Sequence, residues 1–345
     1  MVLPRVLAFV PVLAALAGAA VPPPTSAAPF AKVQSSLGFL SIPQGPRNFA
    51  MGYTGVADDA SPANVFYNPA NIAFYDRVYW NADYVDWPLE LYLFDVGVFG
   101  GHAFALSGDH ELYVAAAARY FRLSSTDDWQ RTVYLPDGSD IEFEIADWAV
   151  PLSVAAGFTT RYVDFGVGST VTFVNSKSLD ETCSATGLDL GAVARARINP
   201  WKSADLSLAL GASAVNMGDG PTYNGGESDL PLTYRVGLGI GLAGYKGDSR
   251  ETAALWRVNG NLDYVDVDSR ADFAGGAEFG VLDTVFLRVG HRGDELSANG
   301  GYWGFGFSTR IGAVSLSADY AQASSWGFMT DENPQSFGLS GSYRY

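Results

Sequence analysis

Gln44-Gly45-Pro46-Arg47-Asn48-Phe49-Ala50-Met51-Gly52-Tyr53-Thr54-Gly55-Val56-Ala57-Asp58-Asp59-Ala60-Ser61-Pro62-Ala63-Asn64-Val65-Phe66-Tyr67-Asn68-Pro69-Ala70-Asn71-Ile72-Ala73-Phe74 carries neither the period of a long helix nor that of a strand. Small residues alternate with acids and single aromatics. Asn68-Pro69 marks a turn, because the residue before a proline is pushed out of the helical basin. A segment of this kind needs a host to enclose it, and the rest of the chain supplies the candidate.

From residue 77 onward the chain alternates apolar and polar residues with period two, the signature of strands. Leu206, Leu208, Leu210, Ala212 and Ala214 share one face against Asp205, Ser207, Gly211 and Ser213. Tyr234, Val236, Leu238 and Ile240 oppose Arg235, Gly237, Gly239 and Gly241, and Trp303, Phe305 and Phe307 oppose Gly304, Gly306 and Ser308. Large apolar side chains on one face with Gly, Ser, Asp and Arg on the other predict lipid outside and a polar lumen inside. Only a closed barrel satisfies every backbone group of such strands in hydrocarbon. The fold expected is all-β, a transmembrane antiparallel β-barrel of fourteen strands at 77–87, 89–99, 110–123, 140–159, 161–175, 186–198, 203–216, 231–244, 252–266, 270–280, 283–292, 301–311, 313–323 and 335–345. Long polar connections at 124–139, 176–185, 217–230, 293–300 and 324–334 alternate with short ones, as outer loops alternate with periplasmic turns. Trp80, Trp87, Trp148, Trp201, Trp256 and Trp303 fall toward strand ends, where an interfacial girdle would sit.

Working back to residue 1, a short positive region to Arg5 precedes an apolar, alanine-rich run over 6–21 and then Pro22-Pro23-Pro24. This reads as a secretory signal peptide over 1–28, with two small-x-small sites open for cleavage. The domains expected are the signal peptide 1–28, a plug or hatch 29–76, and the barrel 77–345. The 345 residues include 39 Gly, 18 Tyr and 21 Phe, a profile that suits strands and close backbone contacts. A net charge of -16 argues against a nucleic-acid partner. The lone Cys183 has no internal disulfide partner and is read as a small residue in a surface loop.

The run Arg47 to Ala70, with Gly52-x-x-Gly55-Val-Ala, then Asp58-Asp59-Ala-Ser and Tyr67-Asn68-Pro69-Ala70, resembles the N-terminal hatch of FadL-like outer-membrane transporters, and within them the PorV/PorQ-like proteins. A second block is similar to the PorV/PorQ-like pattern: Leu230-Pro231, Gly276-Ala-Glu278-Phe279, Leu287-Arg288-Val-Gly290, Gly304-Phe-Gly306 and Asp319-Tyr-Ala321. The terminal Tyr345 resembles the aromatic end by which outer-membrane assembly recognises its clients. The resemblance implies a location in a Gram-negative outer membrane, in contact with its lipid. It also implies a hatch motif of Arg47, Gly52, Gly55, Asp58, Asp59, Asn68, Pro69 and Ala70.

Two functions follow from it. The first is a PorV/PorQ-type part in type IX secretion, handling cargo beside secretion-channel subunits. The alternative is a FadL-like transporter of hydrophobic small molecules such as long-chain fatty acids. In the second case the inward Arg195, Arg197, Arg235, Arg257, Arg288 and Arg310 could offer an anion site for a carboxylate. Mixed with Asp189, Asp205, Asp263, Glu278 and Asp319, they otherwise form a salt-bridged lumen. No catalytic, metal or cofactor site is expected: the Gly239-x-Gly241-x-x-Gly244 spacing falls within a strand, and His102, His110 and His291 lack ligand spacing.

Overall fold

A computed structural model describes residues 37–58, 60–87, 91–106, 110–125, 131–134, 140–143, 146–178, 181–201, 203–223, 226–246, 253–267, 270–293, 300–324 and 333–344. The expected signal peptide and Asp59 of the hatch motif lie outside them. Among the described residues, eighteen strands are numbered in chain order: β1 (Val78–Trp87), β2 (Leu91–Ala105), β3 (Glu111–Ser125), β4 (Arg131–Tyr134), β5 (Asp140–Phe143) and β6 (Ala146–Thr159). Then come β7 (Val163–Ser178), β8 (Glu181–Trp201), β9 (Ala204–Met217), β10 (Asp219–Tyr223), β11 (Gly226–Asp229) and β12 (Thr233–Gly244). The last six are β13 (Trp256–Val267), β14 (Arg270–Val281), β15 (Val285–Arg292), β16 (Gly300–Ile311), β17 (Val314–Ala323) and β18 (Gln335–Tyr343).

Fourteen of these close a barrel in which sequence neighbours pair antiparallel and β1 returns to β18, with Val78 opposite Tyr343. The pairs β4–β5 and β10–β11 are separate small hairpins on connections between barrel strands. The fourteen strands are those the alternation marks, because period two fixes which face meets lipid and a one-residue slip would invert it; the fourth, expected over 140–159, is shorter, its barrel part beginning at Ala146 while Asp140–Phe143 belongs to the β4–β5 hairpin. Val154, Val167, Phe273, Leu287 and Ile311, all on outer faces, are each more than half exposed. On the inward faces, Ser153, Asp263, Glu278 and Arg288 are buried.

Three local expectations are corrected. The loop predicted over 176–185 is the tip of a long hairpin in which Ser178 pairs with Glu181, so β7 and β8 run on past the length a bilayer requires. Thr182 is the one β-branched residue of that polar stretch, and the pairing is carried by the register set in the membrane-spanning part. Cys183 therefore sits in β8 rather than in a loop, its Sγ directed at the Ser176 carbonyl. Trp80, Trp148, Trp256 and Trp303 lie near strand ends, but Trp87 packs against the inner apolar cluster, because it shares the inward face of Val85. The side chain of Trp201 is not described.

The interior is filled by the chain's own start. Residues 37–76 form a short 3₁₀ turn at Gly38–Ser41, one helical turn at Pro46–Ala50 and two further 3₁₀ turns at Pro62–Phe66 and Pro69–Phe74, all within the barrel.

Candidate functional site

From Pro46 to Tyr75 the segment runs once round the inner wall, against the order of the strands. Pro46 lies against Gly338 of β18, Ala50 against Gly304 of β16, and Met51 and Gly52 against Gly276 of β14 and Gly290 of β15. Val56 meets Gly237 of β12 and Gly211 of β9; Asn68 and Pro69 meet Gly191 of β8 and Gly168 of β7. Ala73 then lies on Gly157 of β6 and Tyr75 on Gly101 of β2. The inward glycines that alternate with large lipid-facing residues are thus the track along which plug backbone touches wall. The segment is a collar, not a central cork.

A collar without regular secondary structure must satisfy its backbone some other way. Four buried asparagines do this for residues 54–58. Asn48 Nδ2 donates to the Thr54 carbonyl (2.6 Å), Asn71 Nδ2 to Gly55 (2.8 Å), Asn68 Nδ2 to Val56 (2.9 Å) and Asn64 Nδ2 to Asp58 (2.6 Å). The N–H groups of Gly55 and Val56 donate to one carboxylate oxygen of Asp263 on β13, at 2.7 and 3.1 Å. Asn68 also donates to the Ala192 carbonyl of β8 (3.0 Å), and its Oδ1 accepts from the Ala70 N–H (3.0 Å), capping the turn that Pro69 begins. Asn68 itself is extended, as its place before Pro69 requires.

Charge fixes the collar at a second point. Arg47 donates from Nε to Glu278 Oε2 (2.9 Å) and also pairs with Asp58, while Arg288 Nε donates to the same Glu278 oxygen (2.7 Å) and Arg288 Nη1 to Asp319 (2.5 Å). Asn259 and Asn261 of β13 donate to Glu278 (2.7 Å) and Asp58 (2.9 Å). The two sequence blocks singled out by resemblance therefore meet here: Arg47, Met51 and Gly52 of the first rest on Gly276, Glu278 and Gly290 of the second. Gly52 sits at φ 69° with its Cα against the β15 backbone, and a Cβ on Gly55 would lie 2.6 Å from Asn48 Nδ2. Where the collar ends, Arg77 donates to Asp76 (2.7 Å) and holds that carboxyl below its ordinary range.

The six inward arginines are spread round the wall. Arg288 belongs to the Glu278 network. Arg195 is buried over the Phe74 ring (4.7 Å) and reaches Asn71. Arg235 is buried over the rings of Tyr67 (5.1 Å) and Phe66 (6.0 Å), and its Nε and Nη1 have no hydrogen-bond partner. Arg197 pairs with Asp164, Arg257 with Asp283, and Arg310 lies exposed beside the Gly312 carbonyl, all toward the short-turn end. There Arg197, Asp205, Ser207, Arg257 and Asn259, with Leu206, Leu242 and Tyr245, line a recess of about 180 Å³.

Toward the opposite end the lumen combines an apolar cluster with buried polar groups, among them the Arg119–Asp95 ion pair (2.9 Å). Val85, Leu93, Phe121, Leu123, Val174 and Tyr302, from the long-connection ends of their strands, form one cluster with Leu37, Phe39 and Leu40 of the plug. Beside it lies a cavity of about 20 Å³, room for one water, bounded by Leu40, Phe66, Arg119, Phe121, Pro151 and Asp189. Pro151 is a proline inside a barrel strand, where it has no N–H to give. The ladder of β6 with β3 pairs Ala118 with Leu152 and Phe121 with Ala149 but not the positions between, while the ladder with β7 continues through Pro151 and Thr172.

No protein-family model matches this chain. No curated protein matches it either. Among solved structures it is similar to the toluene transporter TodX of Pseudomonas putida, with a TM-score of 0.49, 12% identity and coverage of 88% of this chain and 98% of that one. It is also similar to the toluene transporter TbuX of Ralstonia pickettii (0.48, 11%, 88% and 98%) and to a Pseudomonas aeruginosa FadL homologue (0.40, 10%, 86% and 97%).

Asn48, Asn64 and Asn71 escape a reading by motif, Asp263 enters it only as a counter-charge, and Glu278 enters it as a counter-charge and as a member of the second resembling block. The available signal is the crowding of four asparagines into residues 48–71, more amide than a solvated loop needs.

Proposed function

We propose that this chain is an outer-membrane channel for hydrophobic small molecules, built as a signal peptide over 1–28, a hatch over 29–76 and a barrel over 77–345. The observation that carries the reading is the division of the lumen. Toward the long connections the lumen holds an apolar cluster of wall and plug side chains, and below it the collar shuts the axial route with buried hydrogen bonds and ion pairs. An apolar solute is at home among such side chains and would gain nothing from crossing the polar collar. The interrupted ladder at Pro151, next to that cluster, is where a sideways path into lipid would run in this reading. The likeness to FadL-type hatch motifs favours the same reading.

The test is flux into proteoliposomes. A long-chain fatty acid should enter faster than through empty vesicles, while a sugar of similar mass should not. Pro151→Val, which returns an N–H to the β3 ladder, should slow the fatty acid; equal rates for empty and loaded vesicles would discard the reading.

A second reading, cargo reception in type IX secretion, is favoured by one observation: the two PorV/PorQ-like blocks are in contact through Arg47 and Glu278. Co-purification of the barrel with a secretion-channel subunit from detergent-solubilised envelopes would favour it over transport.

A further inference from the structure

We propose that the recess at the short-turn end of the lumen is a binding site for an α-amino acid zwitterion, presented to the periplasm. It lies on the far side of the collar from the apolar cluster, so it does not depend on what the barrel transports. Ala57 of the collar rests on Gly239 of β12, and the recess opens at Gly241, the next inward position toward the turn.

Register makes the recess. Gly241 stands between Ser207 of β9 and Asn259 of β13, and Ala243 stands between Asp205 and Arg257. Two successive inward positions of β12 thus carry almost no side chain while both flanking strands carry polar ones, which leaves a slot floored by backbone. Its volume of about 180 Å³ holds several waters, or one molecule of about six heavy atoms.

Donors and acceptors both face this slot. Arg197 is braced from outside it by Asp164 of β7 (3.1 Å), and Arg257 by Asp283 of the β14–β15 turn (2.8 Å). Asp283 is itself fixed by the Ala254 N–H, which donates to its other oxygen at 2.8 Å. The Nε of Arg257 is buried with no hydrogen-bond partner, a donor whose cost a ligand oxygen would remove. On the acceptor side, Asn259 Nδ2 donates to Glu278 (2.7 Å), which turns its Oδ1 over Gly241, 3.0 Å from where a Cβ there would lie. Asp205 adds a carboxylate from the opposite strand.

Charge selects the ligand. Among the described groups round the slot, Arg197 and Arg257 stand against Asp164, Asp205 and Asp283. A simple anion therefore meets no net positive field, and a simple cation meets two guanidiniums. A molecule with both charges a few bonds apart uses every partner, its carboxylate on the guanidiniums and its ammonium on Asp205 and Asn259 Oδ1, in charge-assisted hydrogen bonds. Free amino acids and the uncapped amino-acid ends of cell-wall peptides share this chemistry.

The test is calorimetric titration of the purified full-length barrel in detergent with glycine, acetate and methylammonium at one ionic strength. Glycine should give a saturable heat, with acetate and methylammonium each at least about tenfold weaker, because each makes half of the charge-assisted bonds. Asp205→Asn and Arg257→Gln should each weaken glycine about tenfold, and Gly241→Leu, which fills the slot, should abolish binding. Heat-modifiable migration shows which variants are folded, and the two charge variants carry the test if the leucine variant is not. No saturable heat from glycine up to about 10 mM, acetate binding as tightly as glycine, or folded variants that bind like wild type would overturn the proposal. A muropeptide whose stem ends in a free α-amino and α-carboxyl pair distinguishes the sources. Binding tighter than glycine and lost on acetylation of that amine assigns the site to the cell wall; binding no tighter than glycine assigns it to the free amino acid.

Discussion

Asn68 shows how much one amide can do in an irregular segment. Its donors satisfy one plug carbonyl and one wall carbonyl, and its acceptor caps the Pro69 turn. Asn68→Ala leaves those groups buried and unpaired, at about 1 to 3 kcal/mol for each. That is enough to loosen the collar locally but small beside fourteen strands paired all round. Conductance in planar bilayers should rise or flicker, with heat-modifiable migration on gels unchanged. Asn68→Asp keeps the cap and loses both donors, so it should behave like the alanine variant; a wild-type trace would assign the role to the cap instead. Arg47 is the other residue on which the collar depends. Arg47→Met leaves Glu278 with Arg288 and Asp58 with Asn261, so the expected cost is at the low end of the about 3 to 5 kcal/mol for breaking a buried pair. Limited proteolysis should then cut within 46–58 faster than in wild type, and an unchanged rate would show the pair to be dispensable.

Each inward strand face reads as a template for the plug. The glycines of β14, β15 and β16 let plug backbone come closer than any Cβ allows, so their absence of a side chain is the contact. Gly290→Ala would drive a Cβ into the backbone of Met51 and Gly52, which, unlike a flexible side chain, cannot give way. Plug displacement should follow, read as new maleimide reactivity of a cysteine placed at Thr54. Gly100→Ala, on the lipid face with nothing within 4 Å, is the matched control and should leave that site silent. Reactivity in both or in neither would mean that the track does not position the plug. The β7–β8 hairpin illustrates a different property of elements: once two strands are in register, pairing runs on past the membrane for as long as the residues tolerate it.

Over the whole molecule, barrel and plug are joined by side chains rather than by a shared ladder. β1 pairs with β18 and β2, and among the described residues the barrel ladder is made of strands alone, so closure does not require the collar. Deleting 47–74 should therefore leave a barrel that inserts and shows heat-modifiable migration, with a large steady conductance, since the exposed Glu278, Arg288 and Asp263 can be hydrated in an open lumen. Failure to insert would make the plug part of the folding core.

The sequence by itself determined the barrel, because alternation is a local property: each strand states which face wants lipid, and fourteen such statements in a row leave little choice of architecture. It also marked the plug, through the absence of any period, and placed the Asn68-Pro69 turn. Only the tertiary structure decided the path of that plug. Arg47 and Glu278 are 231 positions apart, and nothing in either neighbourhood names the other. The four asparagines could have bonded water or wall; their partners became the carbonyls of 54–58 only once the collar had closed on itself. The sixfold choice among inward arginines likewise has no solution in spacing, because a barrel wall sends alternate residues to the same lumen at every height. Distance across that lumen is set by closure, which no stretch of sequence records.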